Sequence, residues 1–226
     1  MSFPKRSTGV ADGYEMVRAA MIDRLRNHYH IADTAVLDVM ANLPRHEFVP
    51  EALKAQAYKD NALPIAGGQT ISQPFIVARM TELLELKGTE KILEIGAGTG
   101  YQTAILASLA RKVFAIERLP NLAAEAEQRL RNLGFRNVTL KAGDGTAGWD
   151  VYHPFDAMLV AAGGPSIPEP LVRQLKVGGR LVIPIGEGQR SQNLIRVTRT
   201  AAGYTQENFG PCAFVPLIGK HGWAAE

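Results

Sequence analysis

The chain has 226 residues, 46% of them hydrophobic and 21% charged, and a formal net charge of +3. This is an ordinary globular composition, long enough for one large domain with a substantial core. No apolar stretch is long enough for a membrane-spanning helix, Met1 to Val10 has no signal-peptide core, and the mild, dispersed charge permits nucleic acid without demanding it.

The cytosol is the expected location. The single cysteine, Cys212, has no partner for a disulfide or a thiolate metal site and reads as a small core residue. Residues 1–12 lack periodicity and are expected to form a mobile tail. From Tyr14 to Asn27, Met16, Val17, Ala20, Met21 and Leu25 recur at helical spacing, with arginines on the other side. A second helix starts at Asp33 as N-cap and turns Val36, Leu37 and Met40 inward. Pro50-Glu51-Ala52-Leu53 suggests a short helix with proline in its first turn. Together residues 13–60 read as a helical cap. His28, His30 and His46 lack ligand partners at helical spacing, so no metal is expected.

Residues 61–74 form a loop rich in hydrogen-bonding groups, including Gly67-Gly68-Gln69-Thr70-Ile71-Ser72-Gln73-Pro74. It leads into a helix whose apolar face is Ile76, Met80, Leu83 and Leu84. Ser72, two residues before Pro74, fits an N-cap, and the loop can reach over a neighbouring ligand. Residues 75–217 then read as the sheet and its helices. Ile92, Leu93 and Ile95 mark a strand buried on both faces, and it breaks into Gly96-Ala97-Gly98-Thr99-Gly100. The following helix, from Tyr101 to Ala110, points unpaired N–H groups and partial positive charge at whatever that turn holds.

A dinucleotide fingerprint needs glycine at position 101, where this chain has Tyr101. The spacing Gly96-x-Gly98-x-Gly100 instead resembles the first motif of the S-adenosylmethionine-dependent methyltransferases, although such glycines can also do no more than shape a turn. Val113 to Ile116 form the next strand, and Glu117 at its end is placed to accept hydrogen bonds from both ribose hydroxyls. Pro120 opens a long helix that Gly134 closes, and Val138 to Leu140 make a third strand. Asp144, between Gly143 and Gly145, can accept a bond from an adenine amino group or can satisfy its own backbone. A fourth strand, Phe155 to Val160, ends in Ala161-Ala162-Gly163-Gly164-Pro165. In a doubly wound sheet the turns after Ile95, Ile116, Leu140 and Val160 converge on one rim.

Pro168 to Leu175 is a helix, and Arg180 to Ile185 is a strand that Gly186-Glu187-Gly188 leaves in a loop. Alternation over Asn193 to Thr200, a turn at Gly203 and a further segment from Tyr204 to Phe209 predict an antiparallel end to the sheet. Phe214-Val215-Pro216-Leu217 ends the fold, followed by a short polar tail. The expected class is therefore α/β: a Rossmann-like, mostly parallel seven-stranded sheet under an N-terminal helical cap.

From about Met21 to Leu217 the sequence resembles the protein-L-isoaspartate O-methyltransferases. The resemblance rests on Leu43-Pro44-Arg45, Gly68 to Pro74, Leu93 to Tyr101, Gly143-Asp144-Gly145, Pro184-Ile185-Gly186 and Phe214-Val215-Pro216-Leu217. It implies S-adenosylmethionine as methyl donor, isoaspartyl-containing proteins and peptides as acceptors, and a cytoplasmic monomer that binds neither membrane nor nucleic acid. It further implies Ser72 as the active-site serine. Thr70, Ile71, Gln73, Glu94, Gly96, Ala97, Gly98, Thr99, Gly100, Glu117, Asp144 and Gly145 become the cofactor-binding set. The family usually carries alanine and proline where this chain has Gly163-Gly164. The alternatives are a methyltransferase acting on RNA or a small molecule, and a non-catalytic module that binds the same cofactor.

Overall fold

The computed structural model describes residues 13–188 and 191–224. The expected mobile tail, residues 1–12, lies outside the described residues. In chain order the elements are α1 (Glu15–Asn27), α2 (Thr34–Asn42), two 3-10 turns (Arg45–Phe48 and Glu51–Gln56), β1 (Leu63–Pro64), β2 (Thr70–Ile71) and α3 (Pro74–Glu82). They continue as β3 (Lys91–Ile95), α4 (Tyr101–Leu109), β4 (Lys112–Glu117), α5 (Pro120–Asn132), β5 (Val138–Ala142) and β6 (Phe155–Val160). The last are α6 (Glu169–Gln174), β7 (Leu175–Gly188), β8 (Ser191–Thr200) and β9 (Gly203–Cys212).

The main sheet has seven strands in the order β5-β4-β3-β6-β7-β8-β9. Pairing is parallel from β5 through β7, and β8 runs antiparallel to both of its neighbours. Chain progression reverses between β3 and β6, which opens a crevice beyond their carboxyl ends. Ile92, Leu93 and Glu94 of β3 are fully buried because helices cover both faces of the sheet. Each fully buried aliphatic side chain contributes about 1.5–3 kcal/mol, so this central strand anchors the turn that follows it.

Several local expectations need correction. Met16 is 87% exposed and Val17 and Ala20 also face solvent, while α1 buries Met21, Ile22 and Leu25. Its inward stripe continues through Tyr14, stacked on His46, and Arg18, whose Nε donates to the Tyr58 hydroxyl. A long cationic side chain bonded at its tip can lie on an inward face, and that rotates the buried stripe away from Met16 and Val17. Asp33 does cap α2, accepting from the Ala35 and Val36 N–H groups. Pro50 flanks the second 3-10 turn rather than lying inside it.

Ser72 does not cap α3: Gln73 holds that position, Pro74 is the first helical residue and no side chain caps the end. The preceding loop is a small hairpin in which Leu63 pairs with Ile71 and Pro64 with Thr70. Gly186 and Gly188 remain within β7, since the ladder to β8 continues as far as Gly188 opposite Ser191. The polar tail folds back as well: Ile218 bridges to Trp223, whose Nε1 donates to the Gly163 carbonyl at 2.9 Å. Gly163-Gly164 is correspondingly pinned, with the Gly163 N–H on Val215 O and the Gly164 N–H on Pro184 O.

Candidate active site

At the carboxyl end of β3 the chain reverses through Gly96, Gly98 and Gly100, which adopt φ of 86°, 55° and 90°. An L side chain is strained in that region. At Gly100 an added Cβ would also stand 3.3 Å from Leu130, so glycine lets α5 pack against the turn. The Gly96 N–H donates to Ile116 O and the Gly98 N–H donates to Glu117 Oε2 at 2.9 Å. Glu117 Oε1 accepts from the Leu119 N–H at 3.0 Å. One buried carboxylate thus fixes the glycine turn against the start of α5 and still has lone pairs for a ligand.

Beyond these strand ends lies a cleft of about 900 Å³, counting its open mouth. Its floor is Gly96 to Thr99, and its walls come from Ile116 to Arg118, Gly143, Gly145, Ala161 and Ala162. The β2 hairpin contributes Gln69 to Ser72, and the returning C-terminal segment contributes Val215 to Ile218. Of the residues singled out in the sequence, the fold brings Thr70, Ile71, Ser72, Gly96, Ala97, Gly98, Thr99, Glu117 and Gly145 to this wall.

Four others stand back from it. Gly100 caps α4 behind the turn. Gln73 Nε2 donates to Asp60 O and its side chain faces a second hollow. Asp144 Oδ1 accepts from the Thr146 N–H and hydroxyl, and Oδ2 accepts from the Lys220 N–H. Burial alone would raise the Asp144 carboxyl, but these bonds outweigh it and hold the group below the usual range. Glu94 is fully buried within β3, and neither of its oxygens accepts a hydrogen bond. Burial pushes its carboxyl up to about 8, and the Glu117 charge reinforces the shift.

Sequence reasoning missed the side walls. Tyr101, Gln102 and Arg118 line the cleft, and Val215 to Ile218 do so where the end of the fold was expected. Proline within an apolar run after an edge strand was the available signal for the last of these. The second hollow adjoins the first and is lined by Gln73, Phe75, Ile76, Cys212 and Phe214 among others. Thr70, Ser72, Ala161 and Val215 line both spaces, so Ser72 stands at their junction. Among the described residues no group of His, Cys, Asp or Glu is arranged to hold a metal ion.

The family model described as protein-L-isoaspartate(D-aspartate) O-methyltransferase matches residues 16–222. The chain belongs to this family. A protein-L-isoaspartate O-methyltransferase of Syntrophus aciditrophicus is 52% identical over 216 residues, covering 94% of this chain and 99% of the relative. One from Geobacter metallireducens is 50% identical over 214 residues, with the same two coverages of 94% and 99%. Among solved structures, a protein-L-isoaspartate O-methyltransferase superposes with a TM-score of 0.82 at 27% identity, covering 91% of this chain and 67% of that one. A Plasmodium falciparum protein of that description, solved with S-adenosyl-L-homocysteine, gives a TM-score of 0.76 at 24% identity over 89% of this chain and 98% of its own, and supports the fold.

Proposed function

We propose that this enzyme transfers a methyl group from S-adenosylmethionine to the free α-carboxylate of L-isoaspartyl residues in damaged proteins and peptides. The carrying observation is the position of Ser72, on the wall shared by the glycine-lined cleft and a second, adjoining hollow that could receive the acceptor. The cleft residues fit the cofactor. The main chain of Gly96 to Gly100, with Thr70 and Ile71 above it, would hold its amino-acid end, and Glu117 would accept from the ribose hydroxyls. Gly145, packed closely on Ile95, would present its main chain to the adenine edge, towards which Asp144 would contribute from the rim. Glu94, a buried carboxyl beneath the turn whose raised pKa keeps it protonated at neutral pH, would support the turn from within β3 rather than supply charge. Gln73 would close the boundary towards the acceptor.

The bound cofactor supplies an electrophilic methyl on a sulfonium. The acceptor carboxylate has an ordinary pKa near 3.5 and is anionic at neutral pH, so no side chain must remove a proton from it. Ser72 would donate a hydrogen bond to that carboxylate and aim one oxygen along the methyl–sulfur axis. Alignment of this kind supplies about 7–11 kcal/mol in favourable cases. Closure of the hairpin around Gly67-Gly68 and of the C-terminal return over the bound ligands would exclude water from the junction. Gly163-Gly164 presents no side chain to the cleft, which suits an oxygen acceptor that needs no added base.

The same reading has residues 1–226 acting as one methyltransferase domain: a tail to residue 12, a cap over 13–60, an active-site loop over 61–74 and the cofactor-binding sheet over 75–217. It takes the enzyme to be a cytoplasmic monomer, independent of membrane and nucleic acid. No helix among the described residues is long and apolar enough to cross a membrane, and the net charge is only +3. The test is transfer of a labelled methyl group to a synthetic isoaspartyl peptide, with the aspartyl peptide and bulk RNA as controls. Labelling of the isoaspartyl peptide alone is expected; equal labelling of the aspartyl form, or labelling of RNA, would overturn the assignment.

A further inference from the structure

Arg45, in the first 3-10 turn, is completely buried. Its Nε donates to Ala57 O and its Nη2 donates to the Ser72 carbonyl, both at 2.7 Å. The guanidinium carbon lies 4.7 Å from the ring centroid of Tyr101, the residue that follows the glycine turn and lines the cleft. Nη1 and the Tyr101 hydroxyl are both buried without a hydrogen-bond partner. Burial depresses the guanidinium pKa, so the charge is held there at a cost.

That cost is difficult to explain by stability alone. A buried cation is tolerated when a paired carboxylate and a full set of hydrogen bonds compensate it, whereas here two neutral carbonyls and an aromatic face make the direct contacts and the Asp60 charge acts without an ion pair. What the arrangement provides is geometry. A rigid, planar fork reaches the cap through Ala57, the loop at Ser72 itself, and the first residue of α4. Backbone pairing of the hairpin ends at Ile71, one residue short of Ser72.

We propose that Arg45 is a positioning residue that holds Ser72 at the boundary of the two cavities and keeps it in register with the glycine turn. This rests on the role given to Ser72 above, and it adds a part of the cap to the machinery of the reaction. Lysine can retain the charge but cannot serve both carbonyls in one plane.

The test compares wild type, Arg45→Lys, Ser72→Ala and the double variant, all as full-length chains. Arg45→Lys is expected to lower kcat for an isoaspartyl peptide by about 10- to 100-fold, the scale of a misplacement near 1 Å. Its dissociation constant for S-adenosylhomocysteine should stay within about threefold of wild type, and the double variant should be hardly worse than Ser72→Ala, because two residues that act through one contact are not additive. Amide hydrogen exchange of the Thr70–Gln73 segment, measured without acceptor, should accelerate in Arg45→Lys. Unchanged exchange, multiplicative losses in the double variant, or equal loss of turnover and cofactor affinity would each overturn the proposal. Should wild type fail to methylate the isoaspartyl peptide while exchange still accelerates, the acceptor assignment falls and the tethering of the loop stands.

Discussion

Replacing Glu117 with glutamine tests how the rim recognises its ligand. The carboxylate accepts from the Gly98 and Leu119 N–H groups through different oxygens, at 2.9 and 3.0 Å. Glutamine fills the same volume but turns one of those acceptors into a donor, so one backbone N–H must face an NH₂ group. A hydrogen bond to a charged group contributes about 1.5–3 kcal/mol, and a buried donor left unpaired costs about 1–3 kcal/mol. Part of this loss falls on the folded protein alone, and part appears only when ribose hydroxyls meet a single remaining acceptor. The loss of one charge-assisted bond to ribose weakens binding by about 10- to 150-fold, at 1.4 kcal/mol per decade. Calorimetric titration with S-adenosylhomocysteine reads the second part, and thermal unfolding without ligand reads the first. A dissociation constant unchanged from wild type would remove Glu117 from the ribose site, however much the melting temperature fell.

Ser72→Ala should reduce turnover on an isoaspartyl peptide while leaving S-adenosylhomocysteine affinity nearly intact; parallel loss of both by steady-state kinetics and calorimetry would contradict an orienting role. Glu94 makes a prediction about pH. Its folded pKa of about 8 lies above the ordinary 4.5. Between those values the folded state keeps a proton that the unfolded chain releases, so stability from this group falls as pH rises, by up to about 1.4 kcal/mol per pH unit. Urea unfolding of Glu94→Gln at pH 5, 6.5 and 8 should show a flatter dependence than wild type, and parallel profiles would refute the burial argument. For Gly145→Ala, the new Cβ would stand 2.4 Å from Ile95 Cγ2. Overpacking of that kind costs about 1–3 kcal/mol, and the melting temperature should fall by about 2–4 °C per kcal/mol; an unchanged melting temperature would show that β3 yields freely.

What the sequence made legible was governed by short-range rules. A strand buried on both faces announces itself by an uninterrupted apolar run, and the glycine spacing after Ile95 needs only local backbone sterics to interpret. Glu117 followed from strand order, because a residue at the carboxyl end of a parallel strand next to the crevice has few other places to face. The misreadings arose where a distant partner decides. Arg18 faces inward only because Tyr58 receives it. The C-terminal tail looked polar and free, yet Lys220 and His221 donate backbone bonds to Asp144 and Thr146, about 75 residues earlier in the chain. Two-residue strands such as β1 and β2 carry too few positions for alternation to register.

The central claim is that the glycine-lined rim grips the methyl donor and presents its methyl group to an oxygen oriented by Ser72. A crystal structure with S-adenosylhomocysteine bound measures this most directly. The account predicts the ribose hydroxyls on Glu117, the amino-acid end on the main chain of Gly96 to Gly100, and the sulfur turned towards Ser72. Clear density for the ligand elsewhere, with the rim holding only solvent, would contradict it.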